Sequence, residues 1–494
     1  MNARRMLGLG LFGAFLLTRV LANAEAPAQQ TAPPPSTKGV VPKGRAPVSK
    51  ELLRVKLPAP AEADLANGAH LMVLEDRRAP QVTVQIYIPG AGGYFDPPDM
   101  PGLAAFTASQ MREGTTQWTT QQLNEELERL AASVTVSAGV SSTEAVVSVS
   151  ALPEHLERVM DIAAGVLLNP TFPAEEFERY KQRTRASLTQ QRAQPGFLLR
   201  EAANKVMYGG HPAARVSTTP AALDKATRDD LVAFHKAKYV PDHAAIAIAG
   251  DISMAEARRI VDAKLGAWAR ANAAVPETVD PAPPGPAQVH FVARPNSVQT
   301  SLMVMAPGIS RTSRDYDVLT VMNKIIGGGP TGRLFITLRE DKGYTYGAYS
   351  NLSASFYRGD WAASTDVRTD VTEPALADLM AEIARMRDEV VPAEDFEAAK
   401  RSLIAAFALG LESPAQVLSY HVTRWRYKLP MDYWDNQPQR IMAVTAAQVQ
   451  AAARQYLDPA KLQIVAVGDA AKIAAILAKH GAVITYDTEG KVIK

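Results

Sequence analysis

The chain of 494 residues contains no cysteine, which excludes disulfides, thiol catalysis and attachment of a lipid through a thiol. Histidine is also scarce: there are eight, and no two of them are three or four positions apart. Forward and inverted zinc-peptidase helix motifs both need such a pair, so neither is present. An excess of charge of one sign is lacking as well, since 53 basic residues face 51 acidic ones. The composition, 47% hydrophobic and 21% charged, is that of a globular protein.

The N-terminus has the layout of a secretory signal peptide. Arg4 and Arg5 precede an apolar run over residues 6–17, and a small-x-small cleavage site ends at Ala24. We therefore predict a signal peptide over residues 1–24 and a periplasmic location. The apolar run is shorter than the roughly twenty residues that span a bilayer, so no membrane span is predicted in the mature chain. Cleavage removes three arginines and no acid, which leaves no electrostatic basis for binding nucleic acid.

Composition divides the rest of the chain into segments. Residues 25–50 are rich in alanine and proline and have no apolar periodicity, as expected of a flexible segment. Residues 276–287 carry five prolines and indicate a linker. We therefore predict an N-terminal domain over residues 51–275 and a C-terminal domain over residues 288–494.

The two predicted domains are related by an internal repeat. Phe-Pro-Ala-Glu-Glu-Phe-Glu at 172–178 returns as Val-Pro-Ala-Glu-Asp-Phe-Glu at 391–397. Ala-Ile-Ala-Ile-Ala-Gly-Asp at 245–251 matches Gln-Ile-Val-Ala-Val-Gly-Asp at 463–469. The offsets of these two matches differ by a single position, so the repeat keeps its register along the chain. A period this long is typical of a duplicated domain and exceeds that of solenoid repeats.

Hydrophobic periodicity within the first copy switches between strand and helix. Residues 82–88 alternate as a strand, residues 120–132 and 156–168 have helical spacing, and residues 133–151 alternate small and β-branched residues as two strands. We predict an α+β fold in which helices cover one face of a sheet in each half.

Residues 102–115 carry the frame of a zinc-peptidase helix without its ligands. Gly-Leu-Ala at 102–104 and Gly-Thr at 114–115 flank it, and this frame resembles the insulinase/pitrilysin family, processing-peptidase subgroup. In that family an inverted H-x-x-E-H motif lies between the two, with histidines that bind zinc and a glutamate that activates the bound water. The resemblance places four residues of this chain at those positions and at the third zinc ligand, a glutamate on a later helix: Ala105, Ala108, Ser109 and Ser187.

Alanine and serine cannot replace two histidines and two glutamates, so the resemblance implies that this chain binds no metal and that the zinc belongs to a partner. It also implies the fold, namely two homologous α/β sandwich domains, each with an antiparallel-rich sheet. Together these two domains would form half of a clam-shell chamber.

The second half retains a family signature. Residues 332–347 resemble a C-domain motif in which an arginine and a tyrosine seven residues later hold the substrate and the developing oxyanion at the zinc site of the facing N-domain. Arg339 and Tyr346 match those positions, and a guanidinium and a phenol are able to stabilise an oxygen that becomes negative. The alternative is a helix-end ion pair and a core tyrosine. Three upstream glycines match a substrate-binding loop of non-catalytic subunits or form a turn before a helix: Gly327, Gly328 and Gly329.

Two further candidates are weaker. Trp425, between Arg424 and Arg426, is either an exposed peptide contact or part of a packed helix face, and we favour the packed face. Ser109 lies in no G-x-S-x-G elbow, which argues against a serine hydrolase.

The sequence thus predicts a catalytically incomplete subunit of a heteromeric periplasmic zinc peptidase. Its partner would be a homologous subunit that carries H-x-x-E-H, and the pair would cut peptides. One alternative is a structural or peptide-binding homologue without enzymatic activity in an envelope complex. Another is a stand-alone metallopeptidase with unusual ligands, which would require zinc in the isolated chain.

Overall fold

The computed structural model describes Glu51 and residues 53–493. The predicted signal peptide (1–24) and the segment 25–50 lie outside the described residues. Two six-stranded sheets organise the fold. The first contains β1 (Ala61–Asp64), β2 (His70–Glu75), β3 (Val82–Pro89), β4 (Ser133–Ala138), β5 (Glu144–Ala151) and β6 (Ala245–Gly250). The second contains β7 (Gln288–Ala293), β8 (Gln299–Pro307), β9 (Ala348–Leu352), β10 (Asp360–Arg368), β11 (Gln463–Gly468) and β12 (Val483–Tyr486).

The two sheets repeat one topology. Their strand orders are β1-β2-β6-β3-β5-β4 and β12-β7-β11-β8-β10-β9, so five strands correspond one to one. In each sheet the inner pair, β2–β6 or β7–β11, is parallel, and the strands beyond it are antiparallel. The remaining edge strand differs, because β1 precedes its neighbour and runs antiparallel to it, whereas β12 comes from the C-terminal end and runs parallel. This shared topology is what a duplication predicts.

Helices follow the strands in the same sequence in both halves. In the first half they are α1 (Leu103–Gln110), α2 (Thr120–Arg129), α3 (Leu156–Leu168), α4 (Ala174–Arg192), α5 (Pro195–Tyr208), α6 (Pro220–Lys225), α7 (Arg228–Lys238) and α8 (Met254–Leu265). In the second half they are α9 (Tyr316–Ile326), α10 (Arg333–Phe335), α11 (Thr372–Asp388), α12 (Ala393–Gly410), α13 (Pro414–Arg426), α14 (Gln437–Ala443), α15 (Ala446–Tyr456) and α16 (Ala470–Leu477). The chain continues from α10 as a π-helical turn over Ile336–Asp341.

Local sequence explains these elements. β3 and β5 alternate buried and half-buried residues, which is the period-two pattern of a strand with one face on a core. β6 and β11 are buried throughout because they lie in the middle of their sheets. α2 and α15 begin with the same capping box, built from Thr119 with Gln122 and from Thr445 with Gln448. The predicted α+β fold is confirmed.

Each half has a main core between its sheet and its own helices. The opposite face of each sheet receives a helix from the other half, which the sequence did not predict. Leu198 and Leu199 of α5 pack with Val465 and Val467 of the second sheet, while α13 packs on β6 of the first sheet. Each half therefore completes its burial only with the other half present.

Within the described part of the chain, no single helix is long and apolar enough to cross a bilayer. The adjoining helices α12 and α13 meet that length and composition test only as a pair, bent by 111°.

Candidate functional site

The helix that the family frame identifies, α1, is intact. It begins after Gly102, whose φ of 105° lies in the left-handed region that favours glycine. Asp96 caps the helix, because its carboxylate accepts hydrogen bonds from the backbone N–H groups of Gly102 at 2.7 Å and Ala104 at 2.9 Å. Burial raises the pKa of Asp96 to about 6, although these N–H donors act in the opposite direction. Thr218 also holds the start of the helix through its hydroxyl, which donates to the carbonyl of Pro101 at 2.7 Å.

Three of the four vacant positions lie on α1: two of zinc ligands, Ala105 and Ser109, and that of the catalytic glutamate, Ala108. Ala108 is 2% exposed, whereas Ala105 and Ser109 are half-buried. Methyl groups offer no lone pair, and one serine hydroxyl does not replace two imidazoles and a carboxylate. These side chains therefore do not fit a zinc ion.

The fourth position lies on a helix that packs beside α1. Phe106 of α1 contacts the rings of Phe177 and Tyr180 on α4, with centroids 6.5 and 5.9 Å apart. Ser187 is exposed farther along α4, and its Oγ accepts a hydrogen bond from Gln191 Nε2 at 3.0 Å. The structure thus brings together the two helices that the resemblance pairs. Across residues 53–493, no group of three or more histidine, aspartate and glutamate side chains is arranged to hold a metal.

Arg339 and Tyr346 lie together in the second half. Arg339 Nη1 donates to the carbonyl oxygen of Tyr346 at 2.8 Å, and its Nε donates to Glu340 Oε1 at 3.0 Å. The guanidinium also lies over the ring of Phe335, 5.4 Å from the centroid. The Tyr346 side chain is 90% exposed, so its phenol projects from the surface of the chain.

The turn that carries Tyr346 is fixed by hydrogen bonds. Thr345 Oγ1 donates to the carbonyls of Gly347 at 3.0 Å and Asp366 at 2.7 Å, and Thr365 Oγ1 donates to Gly347 at 3.1 Å. The exposed phenol is therefore attached to a constrained backbone.

Packing accounts for the glycines upstream of this turn. A side chain at Gly327 would place its Cβ 2.6 Å from the backbone nitrogen of Ser350, and one at Gly328 would meet Lys324 Cα at 2.9 Å. Gly329 adopts a φ of 144°, which disfavours other residues. The loop also closes the outer edge of β9, because Ser350 donates its N–H to the Gly327 carbonyl at 2.9 Å. The predicted substrate-binding role of the three glycines stays a prediction.

The first sheet has an open edge at the equivalent place. β4 ends the strand order, and no other strand of the described chain pairs with its outer side. Its sequence, Ser-Val-Thr-Val-Ser-Ala, has no charge or proline to oppose pairing with an added strand. The alternation of residues 133–138 predicts a strand, but alternation does not show strand order, so the free edge of β4 was not predicted.

The structure confirms the packed interpretation of Trp425. Its indole stacks on the imidazole of His70, with centroids 5.6 Å apart and an interplanar angle of 8°. On either side, Arg424 pairs with Glu62 and Arg426 pairs with Glu144. These contacts join α13 to the first sheet.

Comparisons with known proteins agree with this peptidase-like architecture. The family model "Insulinase (Peptidase family M16)" matches residues 71–221, and the model "Peptidase M16 inactive domain" matches residues 225–403. The duplicated fold and the peptidase helix frame define the class. The chain belongs to the insulinase/pitrilysin family of peptidases, family M16.

Individual relatives support the same family. The chain is 22% identical over 362 residues to an uncharacterized zinc protease of Bacillus subtilis, YmxG, covering 72% of this chain and 85% of that protein. Among solved structures, a peptidase M16 inactive domain from Pseudomonas fluorescens has 28% identity and a TM-score of 0.76, over 83% of this chain and 98% of that one. The protease PqqL from Escherichia coli shares the fold at 13% identity, with a TM-score of 0.70 over 86% of this chain and 47% of that one.

Proposed function

We propose that this chain is the zinc-free subunit of a two-chain exported peptidase. The proposal rests on one combination of features. Helix α1 is intact and capped but has no metal-binding side chains at the motif positions, and Arg339 is hydrogen-bonded to the backbone of Tyr346, whose side chain is exposed. The partner would be a family member with H-x-x-E-H, and the substrates would be peptides. The Pseudomonas structure is described as an inactive M16 domain, and this likeness supports a chain without a catalytic site of its own.

The geometry of the pair supports action in trans. The Tyr346 phenol is 90% exposed and therefore solvated in the isolated chain. A hydrogen bond from it to an oxyanion becomes strong only where a partner or substrate excludes water. Arg339 is already oriented by Glu340, Phe335 and the Tyr346 carbonyl. In the complex, Arg339 would bind the substrate backbone and Tyr346 would donate to the developing oxyanion.

Export is proposed from the N-terminal sequence, with its basic, apolar and small-residue regions in order. PqqL is described as a periplasmic protease, and that likeness is one of fold alone. N-terminal sequencing of the protein recovered from its host tests this proposal: a mature chain that begins at Glu25 supports it, and an intact leader contradicts it.

Reconstitution with an H-x-x-E-H homologue from the same organism tests the catalytic proposal. Tyr346→Phe should lower kcat of the complex by about 10²-fold, the usual effect of losing one oxyanion donor. Arg339→Ala should lower kcat/KM, because the contact with the substrate backbone is lost. Arg401→Ala is the matched control, because Arg401 is also exposed on the second half and lies on α12, outside the signature segment. Equal kinetics for Arg339→Ala and Arg401→Ala, with complex formation intact, would overturn the proposed role.

The second candidate is a peptide-binding homologue without catalytic function, and the open edge of β4 favours it. An extended peptide could add to that edge through backbone hydrogen bonds. Binding of an unfolded peptide to the purified chain alone would support this function if N-methylation of alternate peptide amides abolishes it. Equal binding of the methylated peptide would contradict strand addition.

A further inference from the structure

The exchanged helices provide an internal comparison between two related places. α5 lies on the second sheet and α13 on the first, and both begin with proline at the first helical position. The offset between the repeated segments 172–178 and 391–397 aligns Trp425 of α13 with Val206 of α5. The offset between the repeated segments 245–251 and 463–469 aligns His70 with Gln288, which are the first residues of β2 and β7.

In the first half this place is filled. The Trp425 indole stacks on His70, and Arg424, one residue earlier, pairs with Glu62. Below them, Met72 and Ala245 belong to the buried apolar cluster under α13. The result is a packed interface of an indole, an ion pair and an apolar floor.

In the second half the same place is open. A cleft of about 750 Å³ lies between α5 with its following loop and the β12 side of the second sheet. Val206 stands where the indole would be, Gln288 stands where the imidazole would be, and both line the cleft. Its size is within the range of small-molecule sites. At these two positions the cleft is lined by an aliphatic and an amide side chain, where the first half has an indole and an imidazole.

The floor of the cleft is polar where the first half is apolar. His290 and Gln463 occupy the positions of Met72 and Ala245. His290 Nδ1 lies 2.9 Å from Tyr486 Oη, and its Nε2 lies 3.3 Å from Gln463 Oε1. Gln463 Nε2 also donates to the linker carbonyls of Gly285 at 3.1 Å and Pro286 at 2.9 Å, so this amide anchors the linker as well as lining the cleft.

One cation at the cleft lacks the acidic partner of its counterpart. Lys205 corresponds to Arg424, which pairs with Glu62. Within residues 53–493, the Lys205 ammonium approaches only the carbonyl of Gly490, at 3.5 Å. Glu201, one turn earlier on α5, is bound by Arg192 at 2.8 Å. Among the described residues no carboxylate lies within ion-pair distance of Lys205.

We propose that this cleft binds a planar aromatic group that carries a carboxylate. The ring would occupy the space equivalent to the one that Trp425 fills in the first half. The carboxylate would pair with Lys205, which is exposed at the position of buried Arg424. An aromatic residue at the C-terminus of a peptide has this chemistry, and so does a free aromatic acid. The site belongs to this chain alone and does not depend on a zinc-bearing partner.

Calorimetric titration of the purified protein with N-acetyl-L-tryptophan tests the site. Val206→Trp combined with Gln288→His introduces the stacked pair of the first half and should fill the cleft. The affinity for N-acetyl-L-tryptophan should then fall by about tenfold or more. Val390→Trp is the matched control, since Val390 is 63% exposed and lies outside the cleft. If the filled variant does not fold, Val206→Phe serves as a smaller plug. Undiminished binding by a folded plugged variant, or no binding by the wild-type protein, would overturn the proposal.

The carboxylate is tested separately with Lys205→Met. This variant should lose the preference for N-acetyl-L-tryptophan over its uncharged amide, while the affinity for the amide stays unchanged. A preference that survives the substitution contradicts the role of Lys205. Gly-Gly-Trp and free indole-3-acetate then distinguish the two sources: tighter binding of the peptide assigns a peptide C-terminus, and tighter binding of the acid assigns a free aromatic acid.

Discussion

Tyr208→Phe should weaken the interface between α5, which belongs to the first half, and the second sheet on which it packs. Tyr208 Oη donates to Asp360 Oδ2, and both side chains are buried. Removing the hydroxyl leaves the Asp360 carboxylate buried without this donor, which should lower the free energy of unfolding by about 1–3 kcal/mol. Adding Asp360→Asn should recover part of that loss, because the uncompensated charge is then gone.

The deficit of Tyr208→Phe should also depend on pH. Burial raises the pKa of Asp360, and the hydrogen bond from Tyr208 opposes that rise. Without the hydroxyl, the pKa of Asp360 should lie higher still. A carboxyl group whose pKa is raised by folding stabilises the protein below that pKa and loses this contribution as pH rises through it. The deficit should therefore be largest near neutral pH and shrink as pH falls.

Urea unfolding followed by circular dichroism at several pH values measures this effect. Tyr427→Phe is the matched control, because Tyr427 is the repeat equivalent of Tyr208 at the end of α13, and its hydroxyl makes no hydrogen bond to a carboxylate in the described structure. An equal loss in both variants, or a loss for Tyr208→Phe that does not change with pH, would refute the reasoning.

Two further predictions concern buried ionisable groups. The pKa of Asp96 is about 6 against an ordinary value of 3.8, so the wild-type protein should lose about 3 kcal/mol of stability as pH rises from about 4 to above 6, and Asp96→Asn should lack that loss in pH-dependent unfolding. Lys400 is 4% exposed and donates to the carbonyls of Met442 at 2.9 Å and Val444 at 3.3 Å. Lys400→Met should lower the free energy of unfolding in urea by about 3 kcal/mol. Lys461 is exposed, so Lys461→Met should change it by under about 0.5 kcal/mol. Equal effects of the two substitutions would contradict the role of burial.

The sequence predicted the elements of the fold better than their arrangement. Alternation identified β3 and β5 because each has one face on a core, and the repeat identified the duplication. Local sequence does not show which sheet covers the apolar residues of α5 and α13. The exchange between halves therefore stayed unpredicted.

The candidate site was predictable to different degrees. Missing ligands at Ala105 and Ala108 are visible in the sequence because a motif fixes their spacing. The cap from Asp96 was not visible, since a loop carries its carboxylate back to α1. The cleft at Val206 was also missed, because only the comparison of the two packed helices makes it evident.

We predict that alanine at position 108 stabilises the packing of α1. Ala108 is 2% exposed, so a glutamate there would be a buried carboxylate without zinc-bound water to hydrogen-bond. Ala108→Glu should lower the free energy of unfolding by about 3 kcal/mol at neutral pH, with a smaller loss at acidic pH, where the raised pKa of Glu leaves it neutral.

Ser109→Glu provides the comparison, since half-buried Ser109 lets a longer side chain reach solvent and should cost well under about 1 kcal/mol. If urea unfolding shows the same loss of free energy of unfolding for both variants, the burial of Ala108 does not explain the effect. A large loss confined to Ala108→Glu would instead show that alanine, at the position of the family's catalytic glutamate, stabilises α1 by fitting its buried surroundings.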